Sequence, residues 1–327
     1  MAYVMGPGGE IEAIDTRTGD SVWRGAVAAK PLVVLESSLL AQAVAKRPGV
    51  LPIEVFDLRN PETPPLSLEL LLPADLFAFI DQPLGISFVV EARDEGGEVV
   101  ISWSYLEQHV SSMAPAPGTS PIRRRAEGSA RIDIESGEFQ ILEGTSEPPS
   151  PVFPPPLQQM LEDGKLHRPL SRAGSVLAAT TTRVIEGGDR QVVLNRWEAE
   201  TGEALPDVVL FNGRPRAVVP SADNRHVVIT SSIEGAEAGE WERYQWSVFS
   251  MESGNSLGHL RWHTSATPFC VLGGTLLTIT QPFSRRIEGR IVDRPLALRG
   301  VGLDTGVRTW SHPLRDTVYR GPFPAGP

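Results

Sequence analysis

The stretch Ile14-Asp15-Thr16-Arg17-Thr18-Gly19-Asp20-Ser21-Val22-Trp23 decides how the chain is read. Alternating apolar residues stand on either side of Thr18-Gly19, the pattern of two half-buried strands joined by a tight turn. Glycine accepts the positive φ such a turn needs, and the hydroxyl before it can bond the local backbone. The phrase returns at residues 131–142 around Gly137, 196–205 around Gly202 and 249–260 around Gly254. It returns again at 302–310, where Asp304, Thr305 and Gly306 carry the turn with a shortened approach, and at 55–68, where Asn60-Pro61 replaces the glycine. Successive turn residues lie 41, 77, 65, 52 and 52 positions apart, with no 3.6-residue period between them.

Upstream of several turns lies a second hairpin pattern, strand, Glu-Gly turn, strand, closing near a tryptophan. It covers residues 88–103, 179–197 and 229–246, ending at Trp103, Trp197 and Trp246, with a looser copy at 278–300. The tryptophans read as packing residues of these strands. Two hairpin turns per repeat supply three to four strands per unit, as a propeller blade requires. The expected fold is therefore all-β, a β-propeller of six blades, with seven the alternative if the 77-residue interval holds one more. One domain spans 1–327, with loop excursions at about 111–128 and 144–170, the second carrying a proline-rich extended stretch and then one helical turn around Leu157 to Leu161. The chain opens with about three strands and closes with one, at 317–321, and joining tail to head restores a spacing of 40. Pairing of N- and C-terminal strands is thus expected to close the ring and remove sheet edges.

Composition narrows the function. Hydrophobic residues make up 41% and charged residues 21%, which suits a folded core. A net charge of −10 disfavours nucleic acid and anionic membranes, which want a positive face. Only Lys30, Lys46 and Lys165 are lysines among 30 basic residues, a bias expected of a GC-rich bacterial genome. No apolar run is long enough for a transmembrane segment. The N-terminus lacks a signal-peptide pattern and reads like the interior of a strand followed by a turn, as in a trimmed chain. Cys270 is the one cysteine, placed in an apolar run where a buried, inert thiol is expected.

The phrases at 14–23 and 302–310 resemble the repeat of pyrroloquinoline-quinone-type (PQQ-like, quinoprotein alcohol dehydrogenase-like) propellers, whose consensus runs roughly A-[LI]-D-x-x-T-G-x-x-x-W. Asp15, Thr18, Gly19 and Trp23 match it in full, and Asp304, Thr305, Gly306 and Trp310 in shortened form. Elsewhere the tryptophan slot holds Ile141, Pro206 or Gly258. In that family the tryptophan docks between blades, so its loss implies packing by other residues. The family contains quinone-dependent dehydrogenases and non-catalytic scaffolds or sensors. A single cysteine rules out the dehydrogenases' adjacent-cysteine disulfide, and no compact acidic and amide cluster suggests their calcium. The resemblance therefore implies the non-catalytic branch, no cofactor, and an extracytoplasmic compartment.

No phosphate loop or H-E-x-x-H stands in the sequence. His259 and His263, the closest pair of six histidines, would lie about 13 Å apart on a strand, too far for one metal. Two partner-binding stretches stand out. Arg123, Arg124 and Arg125 read as a solvated loop or a docking patch for an acidic partner. The proline-rich run 147–156 reads as a surface spacer or a polyproline ligand anchored by Phe153. The expectation is a scaffold or sensor that binds a protein or peptide through a rim or central funnel. A small-molecule binder or enzyme (quinone, sugar) using the channel is the alternative.

Overall fold

The computed structural model describes residues 1–44, 49–72, 86–95, 97–108, 122–134, 136–142, 153–163, 170–233, 242–280, 282–287 and 290–314. They are almost wholly β, in successive antiparallel sheets consistent with a β-propeller-like fold. The chain divides into two compact units. One holds Met1–Ile14, Ser21–Ser150 and Leu314–Pro327, the other Asp15–Asp20 and Pro151–Pro313.

In the first unit, β1 (Ala2–Met5), β2 (Glu10–Ile14), β3 (Ser21–Leu35), β4 (Ser38–Ala43), β5 (Val50–Asp57) and β6 (Leu66–Leu71) follow one another in a single order. This sheet is two sheets sharing a strand, because β3 pairs with β2 through its first half and with β4 through its second. Beside it β7 (Ile86–Glu95), β8 (Glu98–Gln108), β9 (Ile122–Ile132) and β10 (Phe139–Leu142) form a four-stranded meander. Middle strands such as β4 and β5 are buried on both faces and read as near-continuous apolar runs, whereas the outer β6 is mostly exposed. The main core joins the two sheets, with Leu51, Ile53 and Leu70 from one and Val90, Ile101 and Trp103 from the other.

The second unit repeats the meander. Its sheets are β11 (Ser171–Ala173), β12 (Val176–Val184), β13 (Arg190–Glu198) and β14 (Ala204–Gly213), then β15 (Pro215–Pro220), β16 (His226–Ser232), β17 (Tyr244–Ser250) and β18 (Ser256–Trp262). The last is β19 (Phe269–Leu272), β20 (Thr275–Thr280), β23 (Ala297–Gly302) and β24 (Arg308–Pro313). Between β20 and β23 the chain adds a separate hairpin, β21 (Phe283–Ile287) with β22 (Arg290–Arg294). One helix, α1 (Pro155–Glu162), starts with proline in its first turn, where the missing N–H costs nothing.

The repeated phrase is a turn between the third and fourth strands of the four-stranded sheets, at Gly137, Gly202, Gly254 and Gly306, and at Gly19 it joins β2 to β3. Five copies share one hydrogen-bond pattern. The glycine N–H donates to the carbonyl four residues back, in Gly19 to Asp15, Gly137 to Asp133, Gly202 to Glu198, Gly254 to Ser250 and Gly306 to Gly302 (2.8–2.9 Å). All five glycines have φ between +67° and +80°. The hydroxyl of the preceding Thr18, Ser136, Thr201, Ser253 or Thr305 accepts from the N–H two residues on. In the last copy Gly302 holds the place of Asp15, so Asp304 corresponds to Arg17 and the approach is not shortened. At Asp57 the turn is different in kind, with Asn60 donating to the Asp57 carbonyl and carboxylate and no residue at positive φ.

The tryptophan slot also resolves. The indole N–H of Trp23 donates to the Pro61 carbonyl, and that of Trp310 to the Thr16 carbonyl while its ring covers Gly19. Where the tryptophan is missing, other groups meet the turn glycine: Leu68 at Gly137, Pro154 at Gly202 and Val208 at Gly254. Arg196 supplies the lost donor at one such seam, bonding the Glu252 and Ser253 carbonyls. At Gly258 no side chain fits at all, since a Cβ there would lie 1.9 Å from the Leu303 carbonyl oxygen.

Two sequence expectations change, those for 88–103 and 111–128, while the helical turn expected around Leu157 to Leu161 is present. Residues 88–103 are the first hairpin of their sheet, β7–β8, whereas 179–197 and 229–246 are middle hairpins. The excursion placed at 111–128 overlaps β9, because 122–128 pair with β8. The one at 144–170 contains α1, eight residues long. The closing strand expected at 317–321 lies outside the described residues.

Gly258→Ala is expected to lower stability by at least about 3 kcal/mol, through a backbone collision added to an unfavourable φ. Gly97→Ala, where a Cβ meets nothing within 4 Å, should cost about 1 kcal/mol from φ alone. Urea unfolding of both variants checks the order.

Candidate functional site

The end of the first unit that carries the β3–β4, β7–β8 and β9–β10 turns holds an open cleft of about 580 Å³. Leu35, Ile134 and Phe139 form its floor, half-buried against the main core. Above them stand the exposed carboxylates Glu36, Glu98, Asp133 and Glu138. Among the described residues one guanidinium, Arg131, lines the same cleft, 3.0 Å from Glu98. The local folding explains the placement. The β9–β10 turn is held within itself, with the Asp133 N–H donating to the Glu138 carbonyl and the Ser136 N–H to Asp133 Oδ1, and the side chains at its two ends line the cleft. Glu36 sits in the β3–β4 turn at φ 49°, a left-handed position that usually goes to glycine or asparagine.

The sequence-predicted partner residues lie elsewhere. Arg123, Arg124 and Arg125 are backbone positions of β9, the first two opposite Glu107 and Leu106, so they belong to a strand and not to a loop. Phe153 is 7% exposed and packs with Leu157, Leu177, Ala179 and Trp197, so its ring is taken up by the second unit's own core. Asp15, Thr18, Gly19, Trp23, Gly137, Gly202, Gly254, Gly306 and Trp310 serve turns and seams, and Asp304 Oδ1 accepts from the next N–H. The cleft residues were missed because three turns distant in sequence supply them. The recurring turn phrase located one of the three, and nothing in the sequence joined it to the others.

The most chemically loaded cluster is Ser221, Asp223 and His226, next to Cys270. Its connectivity is that of a turn. The Ser221 hydroxyl donates a short hydrogen bond to Asp223 Oδ1 and accepts from the His226 backbone N–H at 3.0 Å. His226 Nδ1 faces Asp223, 3.6 Å away. The carboxylate thus holds the serine proton itself, whereas nucleophile activation needs the imidazole on the hydroxyl. Burial acts to raise the Asp223 pKa, but the Ser221 hydroxyl, the Arg225 N–H and the His226 ring outweigh it and hold it below the ordinary carboxylate range. Burial, followed by the Asp223 charge, pushes the Cys270 thiol up, away from thiolate. Among the described residues no three His, Cys, Asp or Glu side chains are grouped to hold a metal ion. No helix among them is long and apolar enough to cross a membrane.

The chain matches no family model and no curated protein.

Ser221→Ala should destabilise the second unit by about 1–2 kcal/mol at neutral pH, the worth of a hydrogen bond to a charged acceptor. Because the folded Asp223 pKa is depressed, this contribution is present above the unfolded value near 4 and disappears as pH falls through the folded one. Melting temperatures of wild type and variant should therefore differ at pH 7 and converge on acidification below pH ~4.

Proposed function

We propose that the chain is a non-catalytic β-propeller of six blades, closed between its two ends, that holds a protein or peptide partner on the rim bearing the third-to-fourth strand turns. The observation that carries this reading is the cleft at that rim, with an apolar floor ringed by exposed charge. Interfaces with a desolvated apolar centre and polar edge have this make-up. The blade reading is supported by the turn recurring in sheet after sheet with the same hydrogen bonds. Closure is supported by Trp310, near the end of the chain, donating to Thr16 near its start. The resemblance to PQQ-like repeats of the scaffold type points the same way. The non-catalytic reading draws support from the Ser221 hydroxyl being committed to Asp223.

A photo-crosslinking residue placed at Gln140, exposed on the cleft wall, tests the reading in extracts of the native cells. A discrete heavier adduct is expected from position 140 and not from position 190, an exposed strand residue outside the cleft. Equal adducts from both positions, or none from 140, would exclude the rim as the partner surface.

A further inference from the structure

We propose that the cleft's occupant is a basic peptide segment, one large apolar side chain flanked by arginine or lysine. The inference rests on the partner-binding reading above and names the partner's chemistry. The floor and the rim ask for different things. Leu35, Ile134 and Phe139 are only half covered by the protein, so a ligand side chain that completes their burial gains hydrophobic free energy. A volume of about 580 Å³ suits one anchor residue and its neighbours and not a whole domain.

The rim sets the sign of the flanks. Four carboxylates stand against one guanidinium, and that guanidinium is already beside Glu98. An acidic segment would meet like charge at this rim, whereas lysine or arginine on either side of the anchor faces opposite charge. The chain's net charge of −10 adds a long-range attraction for such a segment. Glu36 contributes from a left-handed turn position where glycine would be the easier residue, so its carboxylate stands at the cleft mouth in spite of the backbone.

The test uses the full chain and three fluorescein-labelled nonapeptides, read by anisotropy. The first has a central leucine flanked on each side by lysine and arginine, with glycine ends. The second replaces the basic residues with glutamate, and the third replaces the leucine with glycine. Tight binding is expected for the first alone, weakening at least about tenfold between 50 and 500 mM salt. The double variant Glu36→Arg/Glu138→Arg, with an unchanged melting temperature, should bind the first peptide at least about tenfold more weakly and the glutamate peptide more tightly than wild type does. Should the double variant unfold, Glu36→Gln/Glu138→Gln, which keeps shape, must still weaken binding by about threefold. Equal binding of basic and acidic peptides, indifference to these substitutions, or displacement of the peptide by 5 mM calcium would overturn the proposal, the last by assigning the carboxylates to a metal. If the basic peptide fails to bind while the adduct from position 140 persists, the ligand assignment falls and the rim reading stands. If both fail, both fall.

Discussion

A glycine without a Cβ, held at positive φ by a hydrogen bond four residues back, is the constraint on which the rest of this structure depends. At Gly19 the missing side chain leaves room for the Trp310 ring, and at Gly306 for the carbonyl of His259. The turn does two jobs at once. It reverses the chain between two paired strands, and it presents a backbone surface against which a neighbouring segment packs. A larger residue there would break the turn and the seam together, which is why the glycine persists where the tryptophan opposite does not.

The seams show how one packing problem is met by different chemistry. Trp310 supplies bulk and an N–H donor to one turn. Where the slot holds Pro206, those roles separate, with Val208 filling the space and Arg196 donating to the turn carbonyls. Where it holds Gly258, the backbone of Leu303 fills the space directly. Pro154 meets Gly202 just before α1, so part of the proline-rich stretch serves as packing. The requirement is that each turn's carbonyls and its bare glycine be covered. Several residue types satisfy that requirement, so a tryptophan-based consensus thins out while the strand rhythm survives.

The same economy explains the cleft. The turn's hydrogen bonds are internal, with hydroxyl, carboxylate and backbone partners inside six residues. Asp133 and Glu138 at the ends of the Gly137 turn also line the cleft. Ser221 and Asp223 are bonded to each other and to the backbone N–H groups of His226 and Arg225 in the turn before β16. Exposed carboxylates over an apolar floor separate the candidate surface from the merely polar cluster.

The strand rhythm, the five glycine turns and their hydroxyl partners were legible in the sequence, because each depends on contacts within a few residues. So was the inward role of Trp103, Trp197 and Trp246, which follows from alternation. Legibility failed where two distant segments had to meet. Asp304 looked like the counterpart of Asp15, yet the hydrogen bonds give that place to Gly302, since turn geometry counts positions and not side-chain types. Residues 88–103 matched a middle hairpin by their Glu-Gly turn, but strand order within a sheet is decided by partners beyond the hairpin. Phe153 looked like an anchor for a partner because proline-rich runs are usually exposed, and only the approach of Trp197 buried it. The sequence by itself determined an all-β chain of repeated turns. Which groups cover those turns, and which carboxylates converge on one apolar floor, tertiary structure alone decided, because both depend on long-range packing that has no local signature.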